Sequence, residues 1–346
     1  MLPRPLQHGQ RSGPPHHRPG KHHGGEQFVT ALETLQAAER IVRRHVGETP
    51  LHHWPLLSRR SGAEVWVKHE NHTRIGAFKI RGGLVYMEKL KARQPDVPGV
   101  IAATRGNHGQ SVALAAGLSG IPATIVVPFG NSVEKNRAMR ELGAELIEHG
   151  HDFQEALVHA RNLAGRHGLH MLASFHDDLV CGVASYGLEI FRRHDDIDAV
   201  YVPVGLGSGL CGTIRARDAV ASRAAVVGVV AENAPCYARS FAAGAPVTTN
   251  ECNTIADGMA VRVPHGDAVS EINAGAERIV TTGEDDIRAA MRHYFSDTHN
   301  VAEGAGAAPL AALLRERDSM AGRKVVLVLS GGNIDRDLYA RILRDT

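Results

Sequence analysis

The sequence predicts an α/β protein built from two doubly wound, parallel-sheet domains. Short β-branched apolar runs alternate along the chain with Ala- and Leu-rich segments whose apolar residues recur at three- and four-residue spacing, as β-α-β units require. Several runs are apolar at almost every position, which suits strands covered on both faces. The length, 346 residues, is a little over twice a usual domain size of roughly 150.

Taken in order, residues 1–26 (MLPRPLQHGQRSGPPHHRPGKHHGGE) contain almost no apolar side chains to offset the entropy of ordering, so a disordered extension is expected. Its five histidines, His8, His16, His17, His22 and His23, offer adventitious chelation at most. Strands are expected at VWVK (65–68), VIAAT (100–104), ATIVVP (123–128), AVYVPV (199–204), AVVGVVA (225–231) and KVVLVLS (324–330). Between them, GQSVALAAGLSG, SVEKNRAMRELGA and DFQEALVHARNLAGRHG have helical spacing. Turn-rich stretches at 93–99 and 174–178 are the expected boundaries. A large domain of 27–98 with 178–346 then encloses a small one of 99–177.

Charge narrows the function. Lys plus Arg number 39 against 37 Asp plus Glu, and Arg4, Arg11, Arg18 and Lys21 of the extension supply the surplus. The remaining chain has no basic excess for a phosphate backbone, so no nucleic-acid partner is expected. There is no secretory h-region and no apolar run near the ~18 residues of a membrane span. The chain reads as cytoplasmic, with no membrane partner. Cys181, Cys211, Cys236 and Cys252 form no CxxC pair and no disulfide framework, and are expected as reduced thiols.

In a doubly wound fold, ligands gather where strands end in Gly-rich turns. Four segments have that form. GAFKIRGG places Lys79 beside Phe78 at the start of an amphipathic stretch, where it is either a structural lysine or a Schiff-base former. TRGNHGQS (104–111) offers backbone amides and Asn107 to an anion, or is a capped turn. VPVGLGSGLCG (202–212) suits a phosphate at a helix N-terminus; its GxGxG spacing is not the dinucleotide GxGxxG. VVLVLSGGN (325–333) ends a buried strand in Ser330, a helix cap or a hydrogen-bond donor.

Together these segments resemble the serine/threonine dehydratase group of fold-type II pyridoxal-phosphate enzymes. The resemblance covers about 30–340 and includes, in family order, TPL (49–51), KHENHTRIGAFKIRGG (68–83), GNHGQ, the VP and Lys of PFGNSVEKNRAMRELGAE, FHDDLVCGVASYGLEI (175–190), VPVGLGSGLCG, TIADGMAV (254–261), VAEGAGAAPLAAL (301–313) and SGGN. It implies an active site between the two domains, with the large one binding pyridoxal 5'-phosphate. It makes Lys79 the lysine bonded to the cofactor and the catalytic base, with Phe78 beside the ring. It places Asn107 at the cofactor's 3-oxygen, Gly205, Leu206, Gly207, Ser208 and Gly209 around the phosphate, Ser330 at the pyridine nitrogen and Glu303 near the ring edge. Thr104, Gly106, Asn107 and His108 would bind the substrate α-carboxylate. The implied reaction converts a small 3-hydroxy amino acid to a 2-oxo acid and ammonia, by a homodimer.

The departures qualify the substrate. Ala77 replaces the usual serine before Phe-Lys, and Leu206 and Ser208 interrupt the usual tetraglycine loop, with the Ser208 hydroxyl as a replacement donor. Arg105 stands where racemising relatives have a proton-shuttling serine; an arginine stays charged at working pH, so racemase is the weaker reading. Arg105 either binds a second carboxylate, as in a 3-hydroxyaspartate, or stacks on an aromatic β-substituent, as in a phenylserine, or faces solvent. A β-replacement enzyme would share the cofactor, but SGGN and TIADGMAV resemble dehydratases more; a silent cofactor-binding protein would account for the altered phosphate loop and Ala77. Glu232 fits one position of a cation site in some relatives, but AENAPCYARS has no following Asp, and His52, His53, His69 and His72 suit surface or supporting roles, so no metal is expected. With no regulatory domain after SGGN, a catabolic role without feedback inhibition is expected.

Overall fold

The structure, a computed structural model, describes residues 32–250 and 252–345. The N-terminal extension and its five histidines lie outside the described residues.

The ten strands among the described residues are β1 (Leu51–His53), β2 (Glu64–His69), β3 (Val100–Ala103), β4 (Ala123–Val127), β5 (Glu145–Glu148), β6 (His170–Met171), β7 (Ala199–Pro203), β8 (Ala225–Ala231), β9 (Arg278–Thr282) and β10 (Lys324–Leu329). They form a six-stranded sheet, β1-β2-β10-β7-β8-β9, and a four-stranded sheet, β5-β4-β3-β6. Every pairing is parallel except β1 with β2, an antiparallel edge on a sheet that is otherwise parallel as expected. The six expected strands all form. The central ones, β3, β7 and β10, are buried along almost their whole length, as sheets covered by helices on both faces must be.

One apolar core joins both sheets, with β2, β7, β8 and β10 at its centre. A second, smaller core lies on the other face of the small sheet. There Ala156, Ala160 and Ala164, one face of the helix Phe153–His167, lie on Ile101, Ala103 and Val126; their small side chains let helix and sheet approach closely. Among the described residues no helix is long and apolar enough to cross a membrane.

A buried ionic cluster fixes the segment that carries Lys79. Arg81, two residues into the helix Lys79–Arg93, is fully buried. Its guanidinium donates to Glu70 (2.7 and 3.0 Å), Glu189 (2.7 and 3.0 Å), Ser185 (3.0 Å) and Thr49 (3.2 Å). Lys68 on β2, also fully buried, reaches Glu189 and donates to Thr49 O at 2.8 Å, and Arg43 adds a contact to Glu189 at 3.0 Å. Each charge removed from water here meets an opposite charge and hydrogen bonds, the condition under which such burial is tolerated. The Thr-Pro-Leu turn, β2, the Lys79 helix and the helix Asp177–Arg193 are thereby held in one register.

Candidate active site

The parallel strands deliver their carboxyl ends to one cavity of about 410 Å³ between the two sheets. All fourteen residues singled out from the sequence line it: Phe78, Lys79, Thr104, Arg105, Gly106, Asn107, His108, Gly205, Leu206, Gly207, Ser208, Gly209, Glu303 and Ser330.

Lys79 opens its helix with Phe78 as N-cap. Its carbonyl accepts from Ser111 Oγ at 2.7 Å, which ties this helix to Asn107–Leu118. Its Nζ donates to Ser208 Oγ at 3.1 Å and lies 4.8 Å from the Phe78 ring centre. Burial pushes the Lys79 ammonium down to about 8, against the smaller opposing pull of Glu303. A substantial neutral fraction near neutrality is what a nucleophilic or basic amine needs.

Gly205–Gly209 turns from β7 into the helix Ser208–Ala219, so the first-turn amides and the positive end of the helix dipole face the cavity. Gly207 takes φ +102°, a conformation that L side chains rarely adopt. Leu206 and Ser208 are not among the positive-φ residues, which explains how a non-glycine is accommodated at each. Tyr237 Oη donates to Leu206 O at 2.8 Å and Tyr186 Oη to Gly209 O at 2.8 Å, so two buried tyrosines hold loop carbonyls and leave the amides free to face inward. The Ser208 hydroxyl, expected as a phosphate donor, accepts from Lys79 Nζ, which leaves its own O–H to donate.

On the opposite wall, Asn107 Nδ2 donates to Glu303 Oε1 at 2.6 Å, and Asn107 Oδ1 accepts from Asn333 Nδ2 at 2.8 Å. His108 Nε2 is buried without a hydrogen-bond partner among the described residues, and burial, aided by Lys79, drives its imidazolium pKa down to about 3, so the ring is neutral. Ser330 is buried at the end of β10, where its carbonyl accepts from Phe78 N at 3.0 Å. Ala77 bridges Gly331 through its backbone, and Thr73 Oγ1 holds both its N–H (3.0 Å) and its carbonyl (2.7 Å). Arg105 is exposed, and no side chain or carbonyl among the described residues pairs with it.

Lys135 was quoted from the sequence only as the Lys of PFGNSVEKNRAMRELGAE, with no role given to it, and Asp257, Tyr186 and Tyr237 were not singled out. Asp257 lay within the TIADGMAV segment and Tyr186 within FHDDLVCGVASYGLEI, but a helical tyrosine reads as core. The histidines near Lys79 do other work: Trp54 Nε1 donates to His69 Nε2 at 3.0 Å, and His72 stacks on His69 with ring centres 4.9 Å apart. Among the described residues no three His, Cys, Asp or Glu side chains gather as a metal site.

Comparison with known proteins gives the same family. A family model described as "Pyridoxal-phosphate dependent enzyme" matches residues 42–331. An L-threonine ammonia-lyase of Thermotoga maritima is 37% identical over 317 residues, 91% of this chain and 78% of that protein. An L-threo-3-hydroxyaspartate ammonia-lyase of Saccharomyces cerevisiae is 31% identical over 312 residues, 90% of this chain and 95% of that protein. The solved structure of processed threonine deaminase isoform 2 from Solanum lycopersicum superposes with a TM-score of 0.86 at 29% identity, covering 93% of this chain and 95% of that one.

Proposed function

The chain belongs to the pyridoxal-phosphate dependent enzymes, and from that premise we propose that it is a lyase that dehydrates and deaminates a small 3-hydroxy amino acid to a 2-oxo acid and ammonia. The observation that carries this reading is the convergence of a desolvated lysine, an anion-binding helix terminus and a second set of backbone amides on one cavity.

The residues fit the cofactor. The Gly205–Gly209 amides would hold its phosphate, Phe78 would lie beside its ring, Asn107 would donate to its 3-oxygen and Ser330 would serve its pyridine nitrogen. When bound, pyridoxal phosphate supplies a sink for the electron pair left at the substrate Cα. A hydroxyl at the ring nitrogen, where a carboxylate would deepen that sink, favours expulsion of a β-leaving group. The amides of Thr104–His108 orient the α-carboxylate. Lys79 Nζ, desolvated and partly neutral near pH 7, takes the Cα proton.

The Lys79 amine sets a pH dependence. As its folded pKa lies near 8, below the ordinary lysine value, the neutral amine fraction rises with pH and saturates above about 8. The rate at which apoprotein captures pyridoxal phosphate, followed by stopped-flow absorbance, is expected to rise about tenfold per pH unit below 8 and level off above it. A rate still climbing at pH 10 would indicate an ordinary solvated lysine.

Arg105 favours a substrate with a second carboxylate within this class. It is a guanidinium at the cavity mouth with no partner among the described residues, beside the amides proposed for the α-carboxylate, and a bidentate pair with a β-carboxylate fits its chemistry. Arg105→Ala is expected to lower kcat/KM for 3-hydroxyaspartate by roughly 10- to 100-fold while leaving threonine within about threefold. A keto-acid assay across threonine, serine, the 3-hydroxyaspartates and phenylserine decides it; equal losses on every substrate would remove Arg105 from selectivity.

The same reading includes the division into a large domain, 27–98 with 178–346, and a small domain, 99–177. It is supported by the membership of β3, β4, β5 and β6 in one sheet. It also takes the enzyme to be a homodimer and, in keeping with four cysteines that are all free, a cytoplasmic one.

A further inference from the structure

Lys135 belongs to none of the four strand-end loops, yet its side chain reaches the cavity wall. It lies in the first turn of the helix Val133–Glu141, where the Ser132 hydroxyl accepts from its backbone N–H at 3.1 Å. Its side chain is 7% exposed, and its stem passes under Gly106, where an added Cβ would stand 2.8 Å from Lys135 Cδ. The ammonium ends 3.4 Å from Asp257 Oδ2 and 3.7 Å from Glu303 Oε2.

Glu303 is the inner end of a chain of contacts. Its Oε1 accepts from Asn107 Nδ2, Asn107 Oδ1 accepts from Asn333 Nδ2, and Asn333 Nδ2 also donates to Ile75 O at 2.7 Å. Turning the Asn107 amide over would set its oxygen against the Glu303 carboxylate and its NH₂ against that of Asn333. Two repulsive pairs would replace two hydrogen bonds. The surroundings leave no room for a different arrangement, because a Cβ on Gly331 would already lie 2.5 Å from Glu303 Oε1 and 3.1 Å from Asn107 Nδ2.

We propose that Lys135 is a positioning residue whose charge keeps the Glu303 carboxylate an acceptor, so that the Asn107 amide is held with its remaining N–H turned toward the cofactor's ring oxygen. The inference rests on reading the cavity as a pyridoxal-phosphate site. Burial pushes the Glu303 carboxyl up, Asp257 pushes the same way, and Lys135 is the main group opposing them. Lys79 is the other charge that Glu303 faces. Lys135 stays protonated because Glu303, Asp257 and Asp335 together outweigh its own burial. A neutral Glu303 could donate as well as accept, and the amide of Asn107 would lose its fixed sense.

The test uses full-length protein carrying Lys135→Met or Lys135→Arg, each also in a Glu303→Gln background. The readouts are the dissociation constant of pyridoxal phosphate from the apoprotein and the pH dependence of the bound cofactor's visible band. Lys135→Met is expected to weaken cofactor binding about tenfold and displace the band's titration. Lys135→Arg, which keeps the charge, stays within about threefold of wild type. With Glu303→Gln present, Lys135→Met adds nothing, because the carboxylate it serves is gone. Unchanged affinity and spectrum in Lys135→Met, or an equal loss in the Glu303→Gln background, overturns the proposal while leaving the site reading intact. Wild-type protein that captures no cofactor overturns the site reading itself, and this proposal with it. Should Lys135→Met alone fail to fold, recovery of a folded, cofactor-binding protein in the double variant supports the pairing; failure of both makes Lys135 a structural residue and ends the proposal.

Discussion

Lys79→Ala is expected to lower 2-oxo acid formation by about 10⁴-fold or more and to remove the visible band of the bound cofactor. The substitution deletes both the amine that bonds to the cofactor and the base that takes the Cα proton, and general-base removal alone costs roughly 10²- to 10⁴-fold. The fold should survive, because the Lys79 side chain has a single hydrogen-bond partner, Ser208, and alanine is the most favourable helix residue at the start of Lys79–Arg93. A keto-acid assay on the purified variant, paired with its absorbance spectrum and melting curve, separates these outcomes. Retention of more than a few per cent of activity would sink the assignment of Lys79 as base, and loss of activity with loss of the fold would leave it for a Lys79→Arg variant to decide.

Arg81→Met is expected to be the most destabilising single change in the structure. Six hydrogen bonds from one fully buried guanidinium end on Glu70, Glu189, Ser185 and Thr49. Its removal leaves two carboxylates in the interior: Glu189 keeps Lys68 and Arg43 as ion-pair partners, and Glu70 keeps only the Thr49 hydroxyl among the described residues. Breaking a buried pair in this way costs about 3–5 kcal/mol, a large part of a typical domain's stability. Lysine at this position should not rescue, since one ammonium cannot span both carboxylates in the planar fork that arginine provides. Urea denaturation checks this: a midpoint near that of wild type would show that water or a rearranged Lys68 takes over the role.

The parts of the fold that could be read from sequence are those whose burial is nearly complete. AVYVPV and KVVLVLS are apolar at almost every position because helices cover both faces of the sheet, and they became β7 and β10 as expected. ELIE and RIVTT, at the sheet edges, keep half-exposed and charged positions, and the three-residue β1 and two-residue β6 have too few residues to show a period. The same rule divides the site. Residues on strand-end loops were legible because glycine and a polar side chain after a buried strand have few other reasons to be there. Lys135, Tyr186 and Tyr237 lie within helices, where a lone lysine reads as solvated and a tyrosine as core. Only tertiary packing brings Lys135 to the cavity wall and the two tyrosines to the carbonyls of the Gly205–Gly209 loop. Likewise Arg81 and Glu189, 108 residues apart, each sit in a motif of the family resemblance, but nothing in either motif announces their pairing.

The position of β10 has a consequence for the order in which this molecule can be made. It is the last strand in sequence, yet it lies between β2 and β7, and it carries Ser330 and the Asn333 side chain that meets Ile75 from 258 residues away. A nascent chain can close the small sheet from contiguous residues while β2 and β7 still lack the neighbour that both require. Contacts of such sequence separation form late because loop closure must precede any gain from them. The emerging polypeptide therefore has two apolar strand edges to shield until Lys324–Leu329 leaves the ribosome, and cofactor capture becomes possible only after that insertion.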